Sequence, residues 1–238
     1  MIAGLAKAIT LYLAPVLLLV ALVLNLFAFL SPTVMLPDRV ALVTITPSTA
    51  LTDVGGSKDV DGASLFLGAL GSCSRPKNDA DINCTVASLS PEYDLSVLPS
   101  NAPQLVLSAP PPSSPAFIAV SLAFSIMFFF TFTLISFRHK MGERIAAQLD
   151  KPLIQRVSAW IGFFGFFIGI SSFLILRMWF GKAVQDFNRS VASQGSEGPE
   201  LIASDGNAFT MVWVAYAFYA VPVICSMAKL NVTASKAA

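Results

Sequence analysis

Cys73 and Cys84 are the two residues of this chain whose type and spacing promise a definite covalent chemistry. Ten residues separate them, around the polar turn Arg75-Pro76-Lys77-Asn78-Asp79-Ala80-Asp81. Two short antiparallel strands joined by such a turn can bring facing cysteines within disulfide reach. A bond of that kind persists on an oxidising side of a membrane. Asn83-Cys84-Thr85 is also an acceptor sequon for N-glycosylation. Two unrelated chemistries therefore give one segment a lumenal or extracellular address.

Other reactive groupings are sparse. The single histidine, His139, sits in the basic run Arg138-His139-Lys140, where a solvated ring is a better reading than a pH switch. No Ser-His-Asp or Cys-His arrangement can then form near the cysteine pair. Three cysteines and one histidine match no zinc spacing. The acids of Asp53-Val54-Gly55-Gly56-Ser57-Lys58-Asp59-Val60-Asp61 and of Asn78-Asp79-Ala80-Asp81 read as solvated turns, because the full ligand spacing of a calcium loop is missing. No glycine-rich phosphate cradle leads to a lysine, and the long apolar stretches hold no acid for cation-coupled transport. The expectation is a protein that is not an enzyme, with no cofactor, no metal and no nucleic-acid partner.

The elements that must position the cysteine pair are membrane spans. Hydrophobic residues make up 55% of the 238 residues and charged ones 12%, far from the balance of a soluble domain. Apolar runs predict four transmembrane helices, at 11–31, 116–137, 157–192 and 209–228. The first is expected to be retained, since no small-x-small cleavage site follows it before Ser31-Pro32, and Asn25 within it is expected to bond to a neighbouring helix. The third is expected to cross from Val157 to Leu176 and then project outward, with Phe180, Val184, Phe187 and Val191 forming an apolar face over an outer sheet.

Charge sets the orientation. The segment 32–115 carries eight acidic against four basic residues, a formal −4, whereas 138–156 carries five basic against two acidic, a formal +3. By the positive-inside rule 138–156 is cytoplasmic, as are the N-terminus 1–10 and the tail 229–238 with Lys229 and Lys236, while 32–115 and 193–208 lie outside. Strands are expected at Arg39–Thr46, Ser64–Gly71 and Thr85–Leu89, an extended rise at Pro99–Pro115, and a loop at Gly195–Gly206. On the third helix Ser158, Gly162, Gly165, Gly169 and Ser172 step by four, three, four and three, a small-residue face for close helix approach. That face would serve either the protein's own bundle or a partner. Asn188-Arg189-Ser190 is a second sequon, set within the predicted helix, and Cys225 reads as an inert thiol.

The four-span plan, the run Gly68-Ala69-Leu70-Gly71-Ser72-Cys73 with Cys84 beyond it, and Tyr93-Asp94-Leu95 shortly after resemble the fungal SUR/PalI family, membrane proteins of eisosomes and ambient-pH response and distant relatives of claudins. The resemblance implies a claudin-like fold, a four-helix membrane bundle with a small disulfide-closed antiparallel β-sheet in the first extracellular loop. Gly68, Leu70, Cys73 and Cys84 carry over onto the claudin pattern. No tryptophan precedes Cys73, so no claudin-type junction role is implied. The family implies a plasma-membrane protein that organises microdomains and cortical architecture through lateral association. A second expectation is an accessory subunit of a multi-span receptor or enzyme, and a third is a channel or lipid-handling protein. The partners implied are membrane lipids and another integral membrane protein or a second copy of the chain.

Overall fold

The computed structural model describes residues 12–52, 60–103 and 107–235, with 229–235 described by backbone alone. Asp53, Lys58 and Asp59 of the first acidic cluster, the N-terminus 1–10 and Lys236 lie outside the described residues.

The helices follow hydropathy, because backbone N–H and C=O groups in lipid must be satisfied within the segment itself. They are α1 (Ala14–Leu30), α2 (Ser113–Ser136), α3 (Glu143–Leu149), α4 (Pro152–Ser193) and α5 (Ala208–Ser235), with single 3-10 turns at Arg138–Lys140 and Gly195–Glu197. Three of them, α2, α4 and α5, are long and apolar enough to cross a membrane, and α1 is a shorter apolar helix. The prolines mark the starts. Pro110–Pro112 hold the chain out of helix, and the Ser114 N–H then bonds to Pro111 O at 3.0 Å. Pro152 opens α4 at a position where no intrahelical donor is needed. The 138–156 segment, expected as a plain loop, contains α3 and the first turn of α4, and an Arg138–Asp150 ion pair spans it.

The chain divides into two compact units, each assembled from separate stretches of sequence. The first takes residues up to Leu26, Phe117–Ser171 and residues from Val212 onward. Its interior is aromatic: Phe128, Phe132 and Tyr219 are almost wholly buried, with ring centroids 5.4 Å apart for Phe128–Phe132 and 5.9 Å for Phe128–Tyr219.

The second unit takes Phe27–Ala116 and Ser172–Met211. It holds a five-stranded antiparallel sheet in the order β4-β3-β2-β1-β5, from β1 (Val43–Pro47), β2 (Ser64–Leu67), β3 (Ser72–Arg75), β4 (Asn83–Cys84) and β5 (Leu201–Asp205). All four residues of β2 are buried, as befits the middle of the sheet. Two expectations need correction. Thr85–Leu89 is not a strand: Thr85 N–H still bonds to Ser72 O at 2.9 Å, but the chain then leaves the sheet, with Val86 88% exposed. Leu201–Asp205, expected as part of a loop, is instead the edge strand β5, paired with β1 from Val43↔Asp205 to Pro47↔Leu201. The C-terminal part of α4, from Ser172, belongs to this unit, where Phe180, Phe187 and Val191 are buried. Gly206 closes the β5 end: its N–H bonds to Leu42 O at 2.8 Å, and a side chain there would run into the Ala41 backbone.

Candidate functional site

The cysteine pair lies at the end of the sheet. Cys73 on β3 stands directly opposite Cys84 on β4, their Cα atoms 4.0 Å apart, and a disulfide joins them. Cys73 is buried beside Ala41 and Phe66, with Ile82 against the cluster.

Around this bond the structure gathers most of the residues singled out by type. Gly68 N–H bonds to Gly71 O at 2.9 Å, closing the turn between β2 and β3. Gly71 has φ of 155° and abuts the Thr85 hydroxyl, and a side chain on Gly68 would collide with Ser31 and Pro32, so neither position has room for one. Leu70 is buried, and its carbonyl accepts from Ser88 N–H at 2.9 Å. The Tyr93 hydroxyl donates to Gly68 O at 2.7 Å, tying the segment after the disulfide back onto the turn before it. Burial pushes the Tyr93 phenol far above its usual range, so it remains a neutral donor. Asp94 is exposed; the Ser96 hydroxyl and the Ser96 N–H, the latter at 3.0 Å, hold its carboxyl below the usual range. Leu95 is half-buried and its carbonyl accepts from Leu98 N–H at 3.0 Å.

Ser72 is the hub that residue typing passes over. Its N–H donates to Thr85 Oγ1 at 3.0 Å, its carbonyl accepts from the Thr85 hydroxyl at 3.2 Å, and its Oγ accepts from Asp94 N–H at 3.0 Å. The signal was present in the spacing. Once Cys73 faces Cys84 in an antiparallel pair, Ser72 and Thr85 are the next pair outward.

The small-residue stripe of α4 lies in the first unit as far as Gly169, and it is occupied. The Ser121 hydroxyl donates to Gly165 O at 2.7 Å, and the hydroxyls of Ser158 and Thr131 lie 2.8 Å apart. A methyl group built on Gly162 would come within 2.7 Å of the Phe128 ring, one on Gly165 within 2.8 Å of Tyr219 Oη, and one on Gly169 would overlap Tyr216 Oη and Ser121 Oγ. Ser172 is buried in the second unit. Of the aromatic residues beside the stripe, Phe166 packs on Tyr216 and Tyr219, with ring centroids 5.6 and 5.9 Å away, whereas Trp160, Phe164 and Phe167 are about half exposed, with Trp160 stacked on Phe164 at 5.6 Å. Asn25, expected to bond to a neighbouring helix, is buried with no hydrogen bond to its Oδ1.

Of the sequon asparagines Asn83 and Asn188, Asn83 is exposed on β4. Asn188 is half-buried on α4, with its amide paired to the Ala203 backbone in both directions, donating to O and accepting from N–H at 2.8 Å each. The second unit also carries an open cavity of about 320 Å³ whose wall includes Asp61, Asn101 and Glu200. Both carboxylates are exposed to solvent, and Asp61 accepts the Asn78 N–H at 3.0 Å. Among the described residues no three His, Cys, Asp or Glu side chains are grouped as metal ligands. No family model, no curated protein and no solved structure matches this chain.

Proposed function

We propose that this chain is a non-enzymatic tetraspan protein of the plasma membrane, of the SUR/PalI kind, which organises microdomains and cortical architecture through lateral association. One observation carries the proposal: the cysteine pair and the polar side chains around it are engaged in holding the outer sheet together. Cys73 and Cys84 are bonded to each other, Tyr93 is bonded to Gly68, and Ser72 and Thr85 to one another. Such a sheet presents a fixed surface rather than a reacting group. In this reading α1 completes a set of four spans, both termini are cytoplasmic, and the sheet stands outside, as the −4 and +3 segments favour.

The glycine stripe then serves the protein's own packing, and the outward aromatic row Trp160-Phe164-Phe167 is the surface offered to lipid or to a neighbouring protein. Stacked rings lose little conformational freedom on contact, which suits a lateral interface. The test is to purify the tagged chain from native membranes in a mild detergent and quantify what accompanies it. A homo-oligomer, or a set of cortical membrane proteins retained with lipid, supports the organiser. One multi-span protein at fixed ratio would instead make the chain an accessory subunit, and flux or turnover by the purified chain alone would overturn both.

A further inference from the structure

We infer that Asn83 carries an N-linked glycan, added before β4 joins the sheet, and that Asn188 stays unmodified because it serves as a clamp on the opposite edge. The inference rests on the outward placement of 32–115 proposed above. The order β4-β3-β2-β1-β5 leaves β4 and β5 as the two edges, and open edges invite pairing with other chains. An asparagine stands at each. On β5 the Ala203 N–H and C=O are both satisfied by the Asn188 amide, which takes the part of a sixth strand at that point. On β4, only two residues long, the Asn83 side chain is exposed and makes no hydrogen bond among the described residues.

The chemistry sorts the two sites. Transfer forms a bond between Asn Nδ2 and the anomeric carbon of an oligosaccharide. It breaks that carbon's bond to the pyrophosphate of a lipid-linked donor, and one amide proton is released. Asn188 would have to leave Ala203 to react. Asn83 is free, but the sequon's third residue is not: in the folded sheet the Thr85 hydroxyl accepts from Ser72 N–H at 3.0 Å and donates to Ser72 O at 3.2 Å, and Cys84 is bonded to Cys73. The sequon is therefore open only while β4 is unpaired, and disulfide closure competes with glycan transfer. A glycan so placed covers the short edge with hydrated sugar, as Asn188 covers the other edge with an amide.

The chain supplies its own control, because Asn231-Val232-Thr233 is a third sequon on the side proposed to be cytoplasmic. The experiment uses the full chain from a eukaryotic secretory host. Glycans are removed enzymatically in heavy-oxygen water, each converted asparagine is read by peptide mass spectrometry, and the Cys73–Cys84 peptide is mapped without reductant. The expected result is a tag at Asn83, none at Asn188 or Asn231, loss of one glycan in Asn83→Gln, and occupancy at Asn83 in Cys73→Ser at least equal to that of the parent. An untagged Asn83 beside an oxidised Cys73–Cys84 pair would overturn the glycan while leaving the orientation standing. A tag at Asn188 would overturn the clamp. A tag at Asn231 would overturn the orientation itself, and the inference with it.

Discussion

Alanine at Gly169 should lower the stability of this protein and alanine at Gly181 should raise it, although both glycines lie in α4. Helix propensity favours each change by about 1 kcal/mol. What differs is the space. A methyl group on Gly169 overlaps Tyr216 Oη and Ser121 Oγ, whereas one on Gly181 meets only Arg177 Nη1, at 3.3 Å, a side-chain end that also pairs with Asp205 and needs to give by only a few tenths of an ångström. Overpacking a filled site costs about 1–3 kcal/mol. Gly169→Ala should therefore lose on the order of 1–2 kcal/mol net, near the upper end of that cost less the propensity gain, and Gly181→Ala should gain up to about 1 kcal/mol. For a chain of this size each kcal/mol moves the melting midpoint by about 2–4 °C. Gly162→Ala and Gly165→Ala should fall between the two, with nearest contacts of 2.7 and 2.8 Å. Tyr216→Phe should recover part of the Gly169→Ala loss by deleting the overlapping hydroxyl. The assay is thermal unfolding in mild detergent, followed by tryptophan fluorescence. Midpoints that move together, or an unchanged midpoint with lost partner association, would refute the inward placement of the stripe.

Four further outcomes follow from the second unit. Cys84→Ser should destabilise the five-stranded sheet by about 3 kcal/mol, from loop closure across a separation of 11 residues; reductant should mimic it on the parent and do nothing to the variant. Tyr93→Phe leaves Gly68 O without its hydroxyl donor and should cost about 1 kcal/mol in denaturant titration. Because burial raises the Tyr93 phenol, the folded chain keeps a proton that the unfolded chain loses above about pH 10, so stability holds below that point and falls as pH climbs. Tyr93→Phe should reduce that alkaline slope, and an unchanged profile would count against the buried phenol. Asn188→Ala removes both partners of Ala203 and should cost about 1–3 kcal/mol, read as faster amide exchange along β5.

How far the sequence reveals this fold depends on whether the decisive signal is local. The apolar runs are local, and α2, α4 and α5 appear where hydropathy places them. The facing cysteines are nearly so, since the turn between them imposes their register. β5 is another matter. Leu201–Asp205 is five residues bracketed by Gly198-Pro199 and Gly206, and it becomes a strand only through pairing with Val43–Pro47, more than 150 residues earlier in the chain. No periodicity within so short a run can announce that. Thr85–Leu89 fails in the opposite way. Its composition suits a strand, yet Val86 and Leu89 pair with no strand among the described residues and lie exposed. Tyr93-Asp94-Leu95 could be noticed as a motif, but its use, a hydroxyl reaching 25 residues back to Gly68 O, is a tertiary fact. The stripe on α4 was legible as small residues at helical spacing; that it meets Phe128, Tyr216 and Tyr219 depends on helices elsewhere in the sequence.

Lateral association is tested most directly by the mass of the particle the chain forms in its own bilayer. Native membranes would be cut into lipid discs by an amphipathic polymer without detergent, and the tagged particles weighed one by one. Particles holding more than one polypeptide in a reproducible stoichiometry, and losing it on Trp160→Ala with Phe164→Ala, are the predicted result. Discs that hold one copy of this chain with lipid alone, at native expression, would contradict it.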